Sequence, residues 1–231
     1  MEHPFPATTQ PTVTTGSSFL TSVYAWMTAG LGLTAVVALF TASSQAMLQL
    51  VFGNRLLFFG LIIAEFGLVI ALSAAIRRLS ATAATGLFLL YSALSGVTFA
   101  AIFLAYTSSS IASAFFVTAG TFGAMSLYGY LTKRDLSSWG SFFFMGLVGF
   151  LLASLVNLWL QSAMIYWVTT YLGIFIFVGL TAYDTQKIKA LGATGLSGEE
   201  HRKAAILGAL TLYLDFVNLF LLLLRVFGRR R

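Results

Sequence analysis

Charge is scarce in this chain. Of its 231 residues only 9% are Asp, Glu, Lys or Arg, while 58% are hydrophobic. A water-soluble domain usually carries about a quarter charged residues, so this sequence lacks the polar surface to cover itself in water. The mean hydropathy of +0.90 points the same way, and the sequence reads as an integral membrane protein. Cysteine is absent, which excludes disulfides and thiolate metal sites. The two histidines, His3 and His201, both lie outside the apolar runs. An intramembrane Ser/His protease or a His-ligated zinc hydrolase therefore lacks its base or its ligands. No lysine falls inside a membrane core, so a retinal Schiff base has no attachment point, and no GxxxxGK[ST] phosphate loop occurs. Together these absences argue against an enzyme, and no tightly bound cofactor is expected.

Long apolar sequence is what the chain does have. A helix needs roughly 20 apolar residues to cross about 30 Å of hydrocarbon. Seven stretches qualify, at about 19–41, 56–76, 84–106, 111–132, 139–160, 163–186 and 204–226. The links between them are short, so consecutive helices are expected to be antiparallel neighbours in an all-α, seven-helix transmembrane bundle. Residues 1–18 are polar and Pro/Thr-rich without a basic signal-peptide region, and read as a disordered tail. Residues 19–228 read as one membrane domain, and 229–231 as a basic tail.

Orientation follows the Lys and Arg of the short loops. One side receives Arg77, Arg78, Lys133, Arg134, Lys187, Lys189, Arg202 and Lys203; the internal loops of the other receive Arg55 alone. That predicts a cytoplasmic N-terminus. The C-terminal Arg225, Arg229, Arg230 and Arg231 dissent, because seven crossings leave them outside. Lys and Arg at the span ends also suit lipid headgroups, so the net charge of +6 does not imply nucleic acid. The seventh helix has a start signal in Ser197 and Glu200 at capping-box spacing, and Gly192 fits the residue just past the sixth helix.

Three of the seven acids lie inside apolar spans: Glu65 in LIIAEFGLVIAL, Asp184 in GLTAYDTQKIK and Asp215 in LYLDFVNLF. Each costs about 2.5–3.5 kcal/mol at a helix centre on insertion scales, so such residues face the bundle interior and find partners. Asp184 is three residues before Lys187 and could instead reach the interface there, whereas Asp215 is too deep to do so. Thr211, Asp215, Asn218, Leu222 and Arg225 follow 4-3-4-3 steps and share one helical face; Thr181 and Asp184 share another. The small residues Ser92, Ser95, Gly96, Gly120, Gly123 and Ala124 are expected to let helices approach closely. Two carboxylates brought together in the membrane share a proton or recruit a cation. Asp184 and Asp215 are therefore candidate ligands for a hard cation such as Ca²⁺, with Asn218 in support. Arg77 and Arg78 end the second span on the same side as Asp184, and an Arg–Asp contact there is a candidate gate. Intramembrane acids serve proton-coupled transporters equally well. Glu199, Glu200 and His201 could hold a divalent metal, but a solvated helix start explains them more simply.

GLTAYDTQKIK (179–189) followed by LYLDFVNLFLLLLR (212–225), with LFLLYSALSGVTFA (87–100) in the third span, resembles the Bax inhibitor-1, or transmembrane Bax inhibitor motif, family. The match runs the length of the chain and points to the bacterial branch, small proteins of the inner membrane. The resemblance implies a seven-helix bundle with a central seventh helix and a pH-sensitive calcium leak. It implies that Asp184 and Asp215 form a paired pH sensor, that Arg77 or Arg78 latches to Asp184 in the closed form, and that Glu65 borders the ion path. It also implies a partner, since bacterial relatives modulate an FtsH-type membrane protease; in that reading the buried acids are structural. Helix counting does not itself predict the aspartate pair. At 1.5 Å per residue, Asp215 lies deeper from its helix start than Asp184 from its helix end. A direct contact needs the seventh helix displaced along its axis or the connecting loop dipping inward.

A reporter fused after Arg231 tests the topology: it is expected on the non-cytoplasmic side, and a cytoplasmic signal there rules out seven crossings from a cytoplasmic N-terminus.

Overall fold

The computed structural model describes residues 14–230, with side chains from residue 18 onward. Glu2, His3 and most of the expected tail lie outside the described residues; residues 14–18 belong to the first helix. Eight helices follow in order: α1 (Thr14–Ser43), α2 (Gln45–Gly53), α3 (Arg55–Ala75), α4 (Ala81–Ala105), α5 (Ser108–Leu131), α6 (Ser137–Leu160), α7 (Ala163–Gly192) and α8 (Gly198–Phe227). All but α2 are long and apolar enough to cross a membrane. All three prolines fall within the first eleven residues, so no helix loses a backbone hydrogen bond to one.

The helix breaks are written in capping residues. Ser44, Asn54, Ser80, Thr107 and Ser162 each precede a helix, and each side chain accepts a backbone N–H of the first turn. Asn54 Oδ1 takes two, from Leu56 at 3.0 Å and Leu57 at 3.2 Å. Ser44 and Asn54 thus bracket α2, a nine-residue helix that hydropathy alone merges into its neighbours. Before α6, Asp135 Oδ1 accepts from Ser137 N–H at 2.9 Å. The Ser137 hydroxyl and amide hold this exposed carboxyl below the usual carboxylate range. A lowered native pKa means that the contact supports the helix start at neutral pH and is lost on acidification.

Two expected helix signals resolve differently. Ser197 stands at the N-cap of α8 but makes no side-chain cap bond. Glu199 reaches away instead, its Oε1 accepting Ala81 N–H at 2.8 Å at the start of α4. Gly192 stays inside α7, and the left-handed residue after it is Gly195, at φ +77°.

The C-terminal helix is central. Of its most apolar window 67% is buried, against 6–33% in the other spans. It packs on α1, α4, α5 and α7. One core gathers Phe19, Val23, Phe88, Leu212, Tyr213 and Phe216; a second joins Phe143, Phe177, Leu219 and Leu222. Tyr213 is fully buried, with its hydroxyl 2.8 Å from Thr34 Oγ1. In contrast, among the described residues α3 packs mainly on α4 and α2, and α6 mainly on α7.

After α8 the chain is pinned to the α4–α5 turn: Thr107 N–H donates to Arg229 O at 3.2 Å and Arg229 N–H to Ser110 Oγ at 3.0 Å. The end of α8 therefore lies opposite the Lys/Arg-rich loops, and α8 runs the full length of the bundle.

Small residues divide into two groups. A Cβ on Gly96 would meet Thr34 O and Val37 at 2.7 Å, and one on Gly129 would strike the backbone of Ala182. These are true close approaches, α1 to α4 and α5 to α7. Gly120 and Gly123 face open space, so their expected packing role is not what they do. Gly129→Leu should lower stability by about 1–3 kcal/mol, because a backbone carbonyl cannot move aside as a side chain can. Gly120→Leu should be near neutral. Thermal unfolding in detergent, followed by size exclusion, distinguishes the two.

Candidate functional site

Between α3 and α6 the bundle opens into a cleft of about 780 Å³ whose lining includes Glu65, Tyr91, Asp184, Lys187, Thr211, Asp215 and Asn218. Its floor is α4, α7 and α8. The three intramembrane acids thus share one space.

The pairing of Asp184 with Asp215 follows from register. Across the α7–α8 interface Gly208 faces Ile188 and Gly173 faces Leu222. By that alignment Gly192 is level with Ala204, and the start of α8 projects about a turn and a half beyond the end of α7. This is the axial displacement that helix counting requires, and Glu199 anchors the projecting turn to α4. Asp184 is then level with Leu212, and Asp215 lies three residues further in, about 4.5 Å. Helical Cβ atoms tilt toward their own N-terminus. In this antiparallel pair the two aspartates lean toward each other, and their carboxyl groups meet at hydrogen-bonding range.

Asp215 is 4% exposed, and its Oδ2 has no hydrogen-bond donor. Asp184 is half-buried, with Lys187 as its nearest cation. The Lys187 ammonium itself sits 5.8 Å from the Tyr183 ring centroid. Glu65 accepts a 3.0 Å hydrogen bond from Thr98 Oγ1 on α4. Asn218 Nδ2 donates to Leu214 O at 2.8 Å and Thr211 Oγ1 to Leu207 O at 3.1 Å, each one turn back on α8.

Other candidates are placed elsewhere. Arg77 and Arg78 are exposed beyond the end of α3, and no ion pair joins either to Asp184. Asp184 faces Asp215 in the arrangement seen, so a latch requires α3 to move. Thr181 is fully buried and its hydroxyl donates to Phe177 O at 2.7 Å; it does not line the cleft. Thr181 and Asp184 are three residues apart, and the helix turns Thr181 toward packed protein. Glu199 is engaged with α4, and the His201 ring packs edge-on against Phe19. Among the described residues no three His, Cys, Asp or Glu side chains converge to hold a metal ion. Asp184 and Asp215 form a two-carboxylate site, with Glu65 across the cleft. Tyr91, Tyr183 and Lys187 were not foreseen as cleft residues. Tyr91 and Tyr183 each carry a signal, a phenol inside an apolar span, and Lys187 has its spacing from Asp184.

Comparison with known proteins places this geometry in context. A family model described as inhibitor of apoptosis-promoting Bax1 matches residues 16–231. The inner membrane protein YbhL of Escherichia coli K12 is 59% identical over 216 residues, covering 93% of this chain and 92% of that protein. An uncharacterized protein of Deinococcus radiodurans is 44% identical over 223 residues, 96% of this chain and 95% of its own length. An uncharacterized membrane protein of Streptococcus pyogenes is 37% identical over 215 residues, 92% and 93% respectively. With all but its first fifteen residues inside the family model, this multi-pass membrane protein belongs to the Bax inhibitor family.

Proposed function

We propose that the protein is a pH-sensitive calcium leak of the bacterial inner membrane, gated by protonation of the Asp184–Asp215 pair, with its Lys/Arg-rich end in the cytoplasm. The observation that carries this reading is the contact between two intramembrane carboxyls in a cleft that also holds Glu65 and Asn218. Carboxylate and amide oxygens are the ligands a hard cation takes when it leaves water. Two protein carboxylates are too few for a resident Ca²⁺, which usually takes six to eight oxygens, and they suit a passing ion that keeps part of its water.

The gate follows from the same groups. Ionised, Asp184 and Asp215 repel each other and favour a cation, and Arg77 or Arg78 at the end of α3 is the protein's own candidate. Protonated, the pair is satisfied by its internal hydrogen bond and releases the arginine. Helix α3 is suited to move, since it packs mainly on α4 and α2 and its most apolar window is 6% buried. Its motion carries Glu65 along one wall of the cleft.

Flux into liposomes loaded with a calcium dye tests this. Wild-type flux should be several-fold higher at pH 6 than at pH 8. Asp215→Asn, which keeps the shape and removes the titration, should flatten that dependence; a mutant with the wild-type pH profile sinks the sensor. Of Arg77→Gln and Arg78→Gln, the variant that removes the latch should raise flux at pH 8 toward the pH 6 level. If neither does so, the arginine has no part in closing the path.

A further inference from the structure

The bundle holds a second cleft, on the other side of the α7–α8 pair from the acids. It measures about 800 Å³; α1 and α5 form its walls, and Thr185 of α7 and Phe216 of α8 its floor. We infer that this groove is a binding site for one acyl chain of a membrane phospholipid, whose ester carbonyl accepts a hydrogen bond from Ser126.

The space is built into the sequence. Gly32 on α1 and Gly123 on α5 both line the groove, and a Cβ on either would meet nothing within 4 Å. Small residues in membrane helices usually allow backbones to touch, as Gly96 and Gly129 do here. Gly32 and Gly123 hold the walls open instead. Both are exposed near the middle of their spans, a depth at which hydrocarbon is the only surrounding medium.

Ser126 supplies an independent observation. It lines the groove, is 7% exposed, and its Oγ has no hydrogen-bond partner. A serine in a membrane helix ordinarily satisfies itself on the carbonyl one turn back, as Thr118 does on the same helix by donating to Ala114 O at 2.7 Å. Hydrocarbon offers no acceptor to an orphaned hydroxyl, but a lipid ester does.

Polarity along the groove matches a phospholipid in the leaflet at the Lys/Arg-rich end. Ser126 is five residues from the end of α5, about 7.5 Å. At that same end Tyr24 and Thr185 share a 3.3 Å hydroxyl contact. Just beyond, the Lys189 ammonium donates to Tyr130 O at 2.7 Å and lies 4.6 Å from the Tyr130 ring centroid. Deeper in, Met27, Leu31, Phe115, Phe122 and Phe216 present apolar side chains. A chain lying along them places its ester near Ser126 and its headgroup beside Lys189.

Native mass spectrometry of the full-length protein tests the site. The delipidated protein is incubated with phosphatidylglycerol, with oleate, or with detergent alone. One phosphatidylglycerol should remain bound at activation energies that strip detergent. Gly32→Leu with Gly123→Leu, both projecting into open space, should preserve helicity and monodispersity and abolish that adduct. Ser126→Ala, which leaves the volume almost unchanged, should lower occupancy several-fold and serves as the test if the filled variant does not fold. An adduct unchanged in Ser126→Ala and in a folded filled variant overturns the proposal, as does retention of oleate in preference to phosphatidylglycerol, or of neither. None of these outcomes depends on calcium flux, and the acidic cleft is left intact throughout.

Discussion

A carboxyl group in hydrocarbon has no water to hydrate it, and much of this architecture answers that constraint for Asp215. An acid on a peripheral helix could turn toward lipid only at heavy cost. Asp215 instead sits on the most buried of the spans, with α1, α4, α5 and α7 around it, so every direction from it meets protein or the cleft. Enclosure also explains why α8 can be apolar almost all round without itself contacting much lipid. The segment whose apolar composition suits an acid least is the segment whose burial makes the acid tolerable.

Enclosure alone does not bring Asp184 to it. Two further conditions do: the axial overshoot of α8 past α7, and the tilt of side chains toward helix N-termini. The overshoot has a local cause. The loop after α7 turns through Gly195 in the left-handed region, and Glu199 fastens the exposed first turn of α8 to the amide of Ala81. Glu199 is far from the acids along the chain axis, yet it helps to set their register.

How much of this could be read from the sequence depends on the range of the interaction. Seven spans and the grouping of acids inside them follow from composition, because the bilayer sets helix length and penalises charge in one dimension. The polar stripe of α8 was legible from helical period, and Thr211, Asp215 and Asn218 do share the cleft. Period failed at Thr181, because three residues along a helix leave an angular offset large enough to pass from cleft wall to packed interior. The glycines were legible only as small. Whether Gly96 touches Val37 or Gly123 faces empty space depends on which helix lies opposite, and the α1–α5 gap is a tertiary fact. Ser197 shows the limit of local signals: it stands at capping-box spacing from Glu200, yet its side chain makes no cap bond. The arginines at the end of α3 do lie at the same end of the bundle as the last turns of α7, while their distance from Asp184 depends on how far α3 leans from a bundle that holds it on one flank.

The α7–α8 pair is also a partition. Asp184 and Asp215 look into one cleft, while the next residues in the chain, Thr185 and Phe216, look into the other. Adjacent residues on a helix are about 100° apart, so two neighbouring positions suffice to face opposite spaces across a wall one helix thick. The consequence is mechanical. Rotation of α8 that parts Asp215 from Asp184 must swing Phe216 against the aromatic face that Phe115 and Phe122 present from α5, where its ring now packs edge-on at 5.6 and 5.4 Å. Sliding of α7 must carry Thr185 off Tyr24. Packed aromatic contacts resist small deformation and favour discrete arrangements. The apolar side of the partition thereby limits how the acidic side can open.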